Sequence, residues 1–132
     1  MTYEDLKKVK KVLSALGFNE KNGCFFRSDC PWFIEFVSPP VAIGGETVRD
    51  FASVSMPTGT VKMLSPLDCI KDRLAAYYHW NDLQSLDQAL DVAVEIIPLD
   101  LGIIEQWSIK EGQSKKYAEF ASRYESLKKK TI

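Results

Sequence analysis

One stretch of the sequence, residues 65–82, holds most of the side chains that could do chemistry. It reads SPLDCIKDRLAAYYHWND. Its polar and ionisable residues stand beside three aromatic ones: Asp68, Lys71, Asp72, Arg73, His79, Asn81 and Asp82 next to Tyr77, Tyr78 and Trp80. Lysine and arginine can neutralise phosphate charge, carboxylates can hold Mg²⁺, and histidine can transfer a proton. The stretch is therefore either one wall of a site or the polar face of an ordinary amphipathic helix.

The same stretch has the start signals of a helix. Ser65 can cap it, Pro66 suits the first helical position, and Asp68 stands three residues after the cap. Apolar residues then recur at three- and four-residue spacing, which predicts a helix that runs to about Tyr78. The structural alternative to a site is a set of caps, an arginine–aspartate ion pair and a buried tryptophan.

A further candidate carboxylate lies on a predicted strand over residues 32–37, WFIEFV. Side chains of a strand alternate between its two faces, so Glu35 shares a face with Phe33 and Val37. A carboxylate between apolar neighbours needs a partner, a metal ion or water. The strand pattern leaves these three options open for Glu35.

The first half of the chain predicts one helix followed by a small sheet. The helix is capped by Thr2, carries an apolar stripe and stops at Gly17. Asn22-Gly23 is a hairpin signal. The pattern predicts about four strands, over residues 24–27, 32–37, 48–56 and 60–64.

The second half is helical. Three helices follow the one that begins after Ser65, and they open at Asp82, Asp100 and Ser114. The order predicts an α+β fold with a small, mostly antiparallel sheet covered by helices on one side. We expect a single domain over residues 1–132, with 1–64 as helix plus sheet and 65–132 as the helical part.

Composition excludes several classes of function. The 132 residues carry a net charge of -1, so no global field attracts nucleic acid or anionic membrane. No apolar run approaches the ~20 residues of a membrane span, and the N-terminus has no signal-peptide core. We therefore expect a cytoplasmic protein without membrane contact. Three cysteines without a CxxC pair make a disulfide framework or a zinc site unexpected.

Three pieces of the sequence resemble one protein family. They are WFIEFVSPPVAIGGETV, VKMLSPLDCIKDRLAAYYHWND and LQSLDQAL, and the resemblance covers roughly residues 1–110. The family consists of bacterial proteins related to the nucleotidyltransferase fold, the AbiEii-like and minimal nucleotidyltransferases. The resemblance implies that Lys71 and Asp82 lie beside the active site and that the strand of Glu35 supplies a metal-binding carboxylate.

The chain departs from that family in its acidic motif. Active relatives have a Gly-Gly or Gly-Ser turn followed by Asp-x-Asp, whose carboxylates hold the Mg²⁺ that organises a nucleoside triphosphate. Gly44-Gly45 is not followed by such a pair. The chain thus resembles the later part of the fold without its catalytic first unit. A missing first unit would expose a sheet edge or an apolar face, and a homodimer would cover it.

Three hypotheses follow from this resemblance. The first, which we favour, is a non-catalytic nucleotidyltransferase-like domain without a cofactor. It would be a dimeric binding or interaction protein of a bacterial mobile-element or defence setting. The second is a nucleotide- or phosphate-handling enzyme that uses Mg²⁺ with a nucleotide. The third is half of a two-chain protein, in which a partner protein supplies the Asp-x-Asp pair.

The enzyme hypothesis assigns a role to each candidate residue. Cationic side chains neutralise phosphate charge, carboxylates hold the metal, and the histidine acts as acid or base. The catalytic candidates are Glu35, His79 and Asp82, with Glu35 as metal ligand, and the ligand-binding candidates are Lys71, Asp72, Arg73 and Trp80.

Overall fold

The computed structural model describes residues 5–130, and its contacts group the chain into two compact units. The first unit ends at Val41 and the second begins at Ala42. Within residues 5–130 there are five helices and seven short strands, which confirms the predicted α+β class. Grouping by contacts does not show which segments fold alone, so the single domain over 1–132 stays a prediction.

The first unit is one helix followed by a three-stranded antiparallel sheet in the order β1-β2-β3. Its elements are α1 (Leu6–Ala15), β1 (Asn19–Lys21), β2 (Cys24–Phe26) and β3 (Ile34–Glu35). The predicted Thr2 cap lies outside the described residues, and Asp5 caps α1 by accepting a hydrogen bond from the Lys7 N–H at 3.0 Å. Asn22 and Gly23 both have positive φ, as the hairpin signal requires.

The predicted strand over residues 32–37 is much shorter in the structure. Only Ile34 and Glu35 pair, with Phe25 and Cys24 of β2. The partner strand β2 spans three residues, so it offers too few backbone groups to hold a longer strand.

The second unit begins with two separate hairpins. They consist of β4 (Ala42–Ile43) with β5 (Glu46–Thr47) and of β6 (Ala52–Met56) with β7 (Gly59–Met63). The single predicted sheet is therefore replaced, between residues 5 and 130, by three small antiparallel sheets.

Four helices complete the second unit. They are α2 (Pro66–Trp80), α3 (Leu83–Glu95), α4 (Leu101–Lys110) and α5 (Ser114–Lys130). The predicted caps Ser65, Asp82 and Asp100 are confirmed, since each side chain accepts a hydrogen bond from a backbone N–H of its helix. Helix α2 continues two residues beyond Tyr78 to Trp80, and the cap residue Asn81 that follows has a left-handed φ of 54°.

The core of the second unit lies among these helices. Tyr78 of α2 stacks on Trp107 of α4 with ring centroids 5.6 Å apart, and its hydroxyl is 2.8 Å from the Ser108 hydroxyl. The completely buried apolar side chains around them are Ile70, Leu74, Leu86, Ala89, Ala93, Ile104 and Phe120. Each large side chain buried in this way stabilises the fold by about 1.5–3 kcal/mol. Packing in this core determines which side chains of α2 and α4 face the candidate site.

Candidate functional site

A cleft in the second unit is formed by β5, α2 and the region of α4. Its volume is about 550 Å³. Its lining combines charged, amide and apolar side chains: Glu46, Lys71, Asp100, Gly102, Ile103, Gln106, Trp107 and Lys110. Lys71 is the member of this lining that the sequence pattern predicted as ligand-binding.

Two lysines share one carboxylate at this cleft. Lys71 and Lys110 each donate to Glu46, at 3.3 Å to its two different oxygens. Burial raises the pKa of the Glu46 carboxyl, but the hydrogen bonds and charges of Lys110 and Lys71 outweigh this effect, so its pKa lies below the ordinary value. The three groups together carry one net positive charge.

Lys71 is buried, with 9% of its surface exposed, although it carries a charge. Its Nζ lies 6.0 Å from the centre of the Trp107 ring, so the amine also interacts with the aromatic face. Lysine is seldom buried without a partner, and Glu46 supplies that partner here. Residue 71 is thus held at the wall of the cleft by the core behind it.

Trp107 also lines the cleft, and its indole N–H is a second unusual group there. Its side chain is 1% exposed, and within residues 5–130 its indole N–H finds no hydrogen-bond acceptor. An unpartnered buried donor costs about 1–3 kcal/mol.

The Gly44-Gly45 turn is bound to the end of α4 next to this cleft. The Gly45 N–H donates to Glu111 Oε1 at 2.7 Å, and Glu111 Oε2 lies 3.4 Å from His79 Nε2. Gly44 has a φ of 57°, and a Cβ at that position would collide with the Glu111 carboxylate. Glu111 therefore joins the hairpin, α2 and α4, and His79 has a structural partner that its sequence neighbours did not indicate.

The other predicted residues of α2 and its exit bind structural partners. Asp82 accepts from the N–H of Ser85 at 3.2 Å and from its hydroxyl at 2.8 Å, and these bonds lower the Asp82 pKa. Arg73 donates to Asp72 at 2.5 Å and also reaches Gln88 at 3.4 Å. Trp80 is exposed and meets His79 edge-to-face. The Asp82 cap and the Arg73–Asp72 pair are those that the structural alternative predicted. Its prediction that Trp80 is buried is wrong.

Glu35 lies in the first unit, on β3 opposite Cys24, and its side chain is exposed. Water can therefore hydrate its carboxylate, which is one of the three options that the sequence left open. Across residues 5–130, no three His, Cys, Asp or Glu side chains are grouped so that they could hold a metal ion. The metal-binding role of Glu35 stays a prediction.

Sequence reasoning missed three charged residues of the site, Glu46, Lys110 and Glu111. A signal was present for the first of them. Gly44-Gly45 stands between Ala42-Ile43 and Glu46-Thr47, and a Gly-Gly pair between short strands indicates a hairpin. No comparable signal marks the two residues at the end of α4.

No protein-family model, characterised protein or solved structure matches this chain. The nucleotidyltransferase resemblance accordingly stays a prediction. In the part of the chain that the structure describes, no helix combines the length and the apolar character needed to cross a membrane.

Proposed function

We propose that this chain is a non-catalytic, nucleotidyltransferase-like binding protein whose cleft takes a phosphate-bearing ligand and leaves it unchanged. One observation carries the proposal: Lys71 and Lys110 share a single carboxylate at the wall of the cleft. Two amines and one carboxylate leave an excess positive charge, and a phosphate oxygen is the kind of acceptor that lysine binds strongly.

The geometry of the site favours replacement of Glu46 by a phosphate group as the hydrogen-bond acceptor of the two lysines. Both lysine–carboxylate contacts are long, at 3.3 Å, and Glu46 is partly exposed. A phosphate group could take the place of Glu46 on one or both amines without opening the core. Because Lys71 is already largely desolvated by the fold, it loses little further hydration when the ligand binds.

The non-catalytic part of the proposal is supported by the partners of the candidate acid and base groups. His79 pairs with Glu111, Asp72 pairs with Arg73, and Asp82 caps α3. Releasing a helix cap costs about 1 kcal/mol, so Asp82 is retained by its helix. These side chains serve the fold rather than a reacting substrate.

The homodimer in this proposal is supported by the β6–β7 hairpin. Val54 pairs with Val61 and Ala52 pairs with Met63, so these four side chains lie on one face of the hairpin. Three of them, Val54, Val61 and Met63, are each close to half exposed. A two-stranded sheet is marginal in water by itself, and a second copy would cover this face. The bacterial mobile-element or defence setting rests on the family resemblance alone.

The same two lysines favour a second candidate function, a nucleotidyltransferase that needs a partner subunit. Lys71 and Lys110 would neutralise triphosphate charge, and the partner would supply the Asp-x-Asp carboxylates for Mg²⁺. This candidate differs from the first in two testable respects, namely that it needs a partner subunit and that the ligand is consumed.

Thermal unfolding tests the binding proposal. The wild type and the variants Lys71→Met and Lys110→Met are each melted without ligand and with ATP, GTP, CTP or UTP in the presence of Mg²⁺. A ligand at one hundred times its dissociation constant adds about 2.7 kcal/mol, which raises Tm by several degrees. We expect this rise in wild type and its loss in both variants.

The matched control is Lys115→Met, which removes an exposed lysine of α5 in the same unit. It should keep the full rise in Tm. If none of the four nucleotides raises the Tm of the wild type, or if Lys115→Met loses the rise as the cleft variants do, the proposed ligand is wrong.

A further inference from the structure

We infer that the exposed face of α1 is a docking surface for an acidic amphipathic segment of a partner protein. This inference goes beyond the proposed function, because it concerns a helix of the first unit. Its test uses variants other than those of the cleft.

The helix presents an apolar stripe that the described residues, 5–130, cover only in part. Leu6, Val9, Val12, Leu13 and Leu16 recur at three- and four-residue spacing and lie on one face. No residue of α1 is buried, and Leu6, Val12 and Leu16 are 55%, 60% and 56% exposed. An amphipathic helix in a folded protein is stabilised mainly by packing of its apolar face, so an open stripe indicates an interaction site.

The stripe contains a depression of about 310 Å³, lined by Lys8, Val9, Val12 and Leu13. A concave apolar surface of this kind accepts a single side chain from a partner. Helical segments bind such surfaces through residues at spacings of three and four. A bilayer presents no side chain to fill a depression, so this shape favours a protein partner over a membrane.

Charge defines the partner further. Four lysines occupy the remainder of the helix surface, at positions 7, 8, 10 and 11, and all four are exposed. Lys10 pairs with Glu20 of β1, while Lys8 lies at the edge of the depression itself. A second copy of α1 would bring lysines against lysines, which is unfavourable. Glutamate or aspartate beside the apolar anchors would be complementary.

Fluorescence anisotropy with a defined probe tests the inference. The probe is a labelled, synthetic 18-residue helical peptide with a leucine stripe flanked by glutamates. A second peptide has glutamine in place of every glutamate. Because charge complementarity adds to apolar contact, we expect the glutamate peptide to bind wild type at least tenfold more tightly at low salt.

Variants locate the site. Val12→Gln removes an apolar side chain that is mostly exposed, keeps helix propensity, and should weaken binding at least tenfold. Lys8→Glu reverses the charge at the edge of the depression and should weaken binding severalfold, whereas the matched control Lys115→Glu on α5 should change it less than twofold. Circular dichroism of each variant checks that helix content is retained.

Several results would overturn the inference. They are equal affinity for the two peptides, unchanged affinity in Val12→Gln, and no binding of either peptide. Binding only to vesicles of phosphatidylcholine with phosphatidylserine would also overturn it and would assign α1 to a membrane surface. The cleft variants Lys71→Met and Lys110→Met should leave peptide affinity unchanged, so this test and the nucleotide test can fail separately.

Discussion

At the scale of single residues, Glu111 holds the turn beside the cleft. One of its oxygens accepts the Gly45 N–H and the other faces His79. The neighbouring residue Gly44 adopts a left-handed φ of 57° and lies so close to the carboxylate that only glycine fits. The two glycines of the turn therefore have different roles, because Gly45 supplies a hydrogen-bond donor and Gly44 supplies space.

This difference predicts unequal effects of alanine in the turn. Gly44→Ala should lower the free energy of unfolding by about 1–3 kcal/mol, because a side chain is strained at that φ and collides with Glu111. Gly45→Ala places its Cβ 3.5 Å from Glu111, which is an ordinary contact, and should change stability by less than about 0.5 kcal/mol. Urea unfolding of both variants measures the difference.

A double variant separates the collision from the backbone strain. In Gly44→Ala with Glu111→Ala the loss should be smaller than the sum of the two single losses, because the colliding carboxylate is absent. Equal destabilisation by Gly44→Ala and Gly45→Ala would contradict the geometry of this turn.

At the scale of elements, α5 holds the end of α2. Lys116 donates to the Tyr77 and Tyr78 carbonyls at 3.0 and 2.7 Å, which satisfies two of the four free carbonyls in the last turn of α2. The Tyr77 hydroxyl donates to Glu119 at 2.5 Å. These contacts fix the helix whose other residues form the wall of the cleft.

Two tyrosines of this junction predict a loss of stability at alkaline pH. Burial raises the pKa of Tyr77 to about 12, with a further contribution from Glu119, and burial also raises the pKa of Tyr78 to about 12. The unfolded chain releases these protons near pH 10, before the folded chain does, so the contribution of these two tyrosines to the unfolding free energy is fully present well below pH 10 and is lost as pH rises to about 12. Urea unfolding at intervals between pH 9 and pH 11.5 measures this decline.

The variant Tyr77→Phe should make the alkaline decline shallower, since it removes one of the tyrosines whose pKa is raised to about 12. A decline as steep as that of the wild type would show that other groups dominate the alkaline response.

Local signals predicted the helices well, and they failed for short strands and for partners distant in sequence. Ser65 and Pro66 mark the start of α2 within a few residues, because a helix cap is a local interaction. A two-residue strand such as β4 carries too little alternation to be predicted by its own pattern, and only the Gly44-Gly45 pair after it indicates a turn. Lys71 could be proposed as ligand-binding, but its partner Glu46 lies 25 positions away, and Gly45 and Glu111 are separated by 66. Such pairs are set by tertiary packing, which one sequence does not reveal.

At the scale of the whole molecule, the proposed homodimer places the apolar face of the β6–β7 hairpin at an interface. Val61→Lys introduces a charge on that face and should shift the sedimenting species from twice the monomer mass to the monomer mass. Thr60→Lys is the matched control, since Thr60 pairs with Ser55 and lies on the opposite face of the same hairpin. A monomeric wild type, or dissociation by both substitutions, would contradict this interface.

The central claim is that the lysine cleft binds a phosphate-bearing ligand without transforming it. Phosphorus NMR of the four nucleoside triphosphates with Mg²⁺ and an equal concentration of protein tests binding and turnover together. We predict broadened phosphate resonances with wild type, sharp resonances with the double variant Lys71→Met and Lys110→Met, and no growth of a pyrophosphate signal. Identical spectra for the two proteins would contradict binding at the cleft, and pyrophosphate that forms with wild type only would contradict its non-catalytic character.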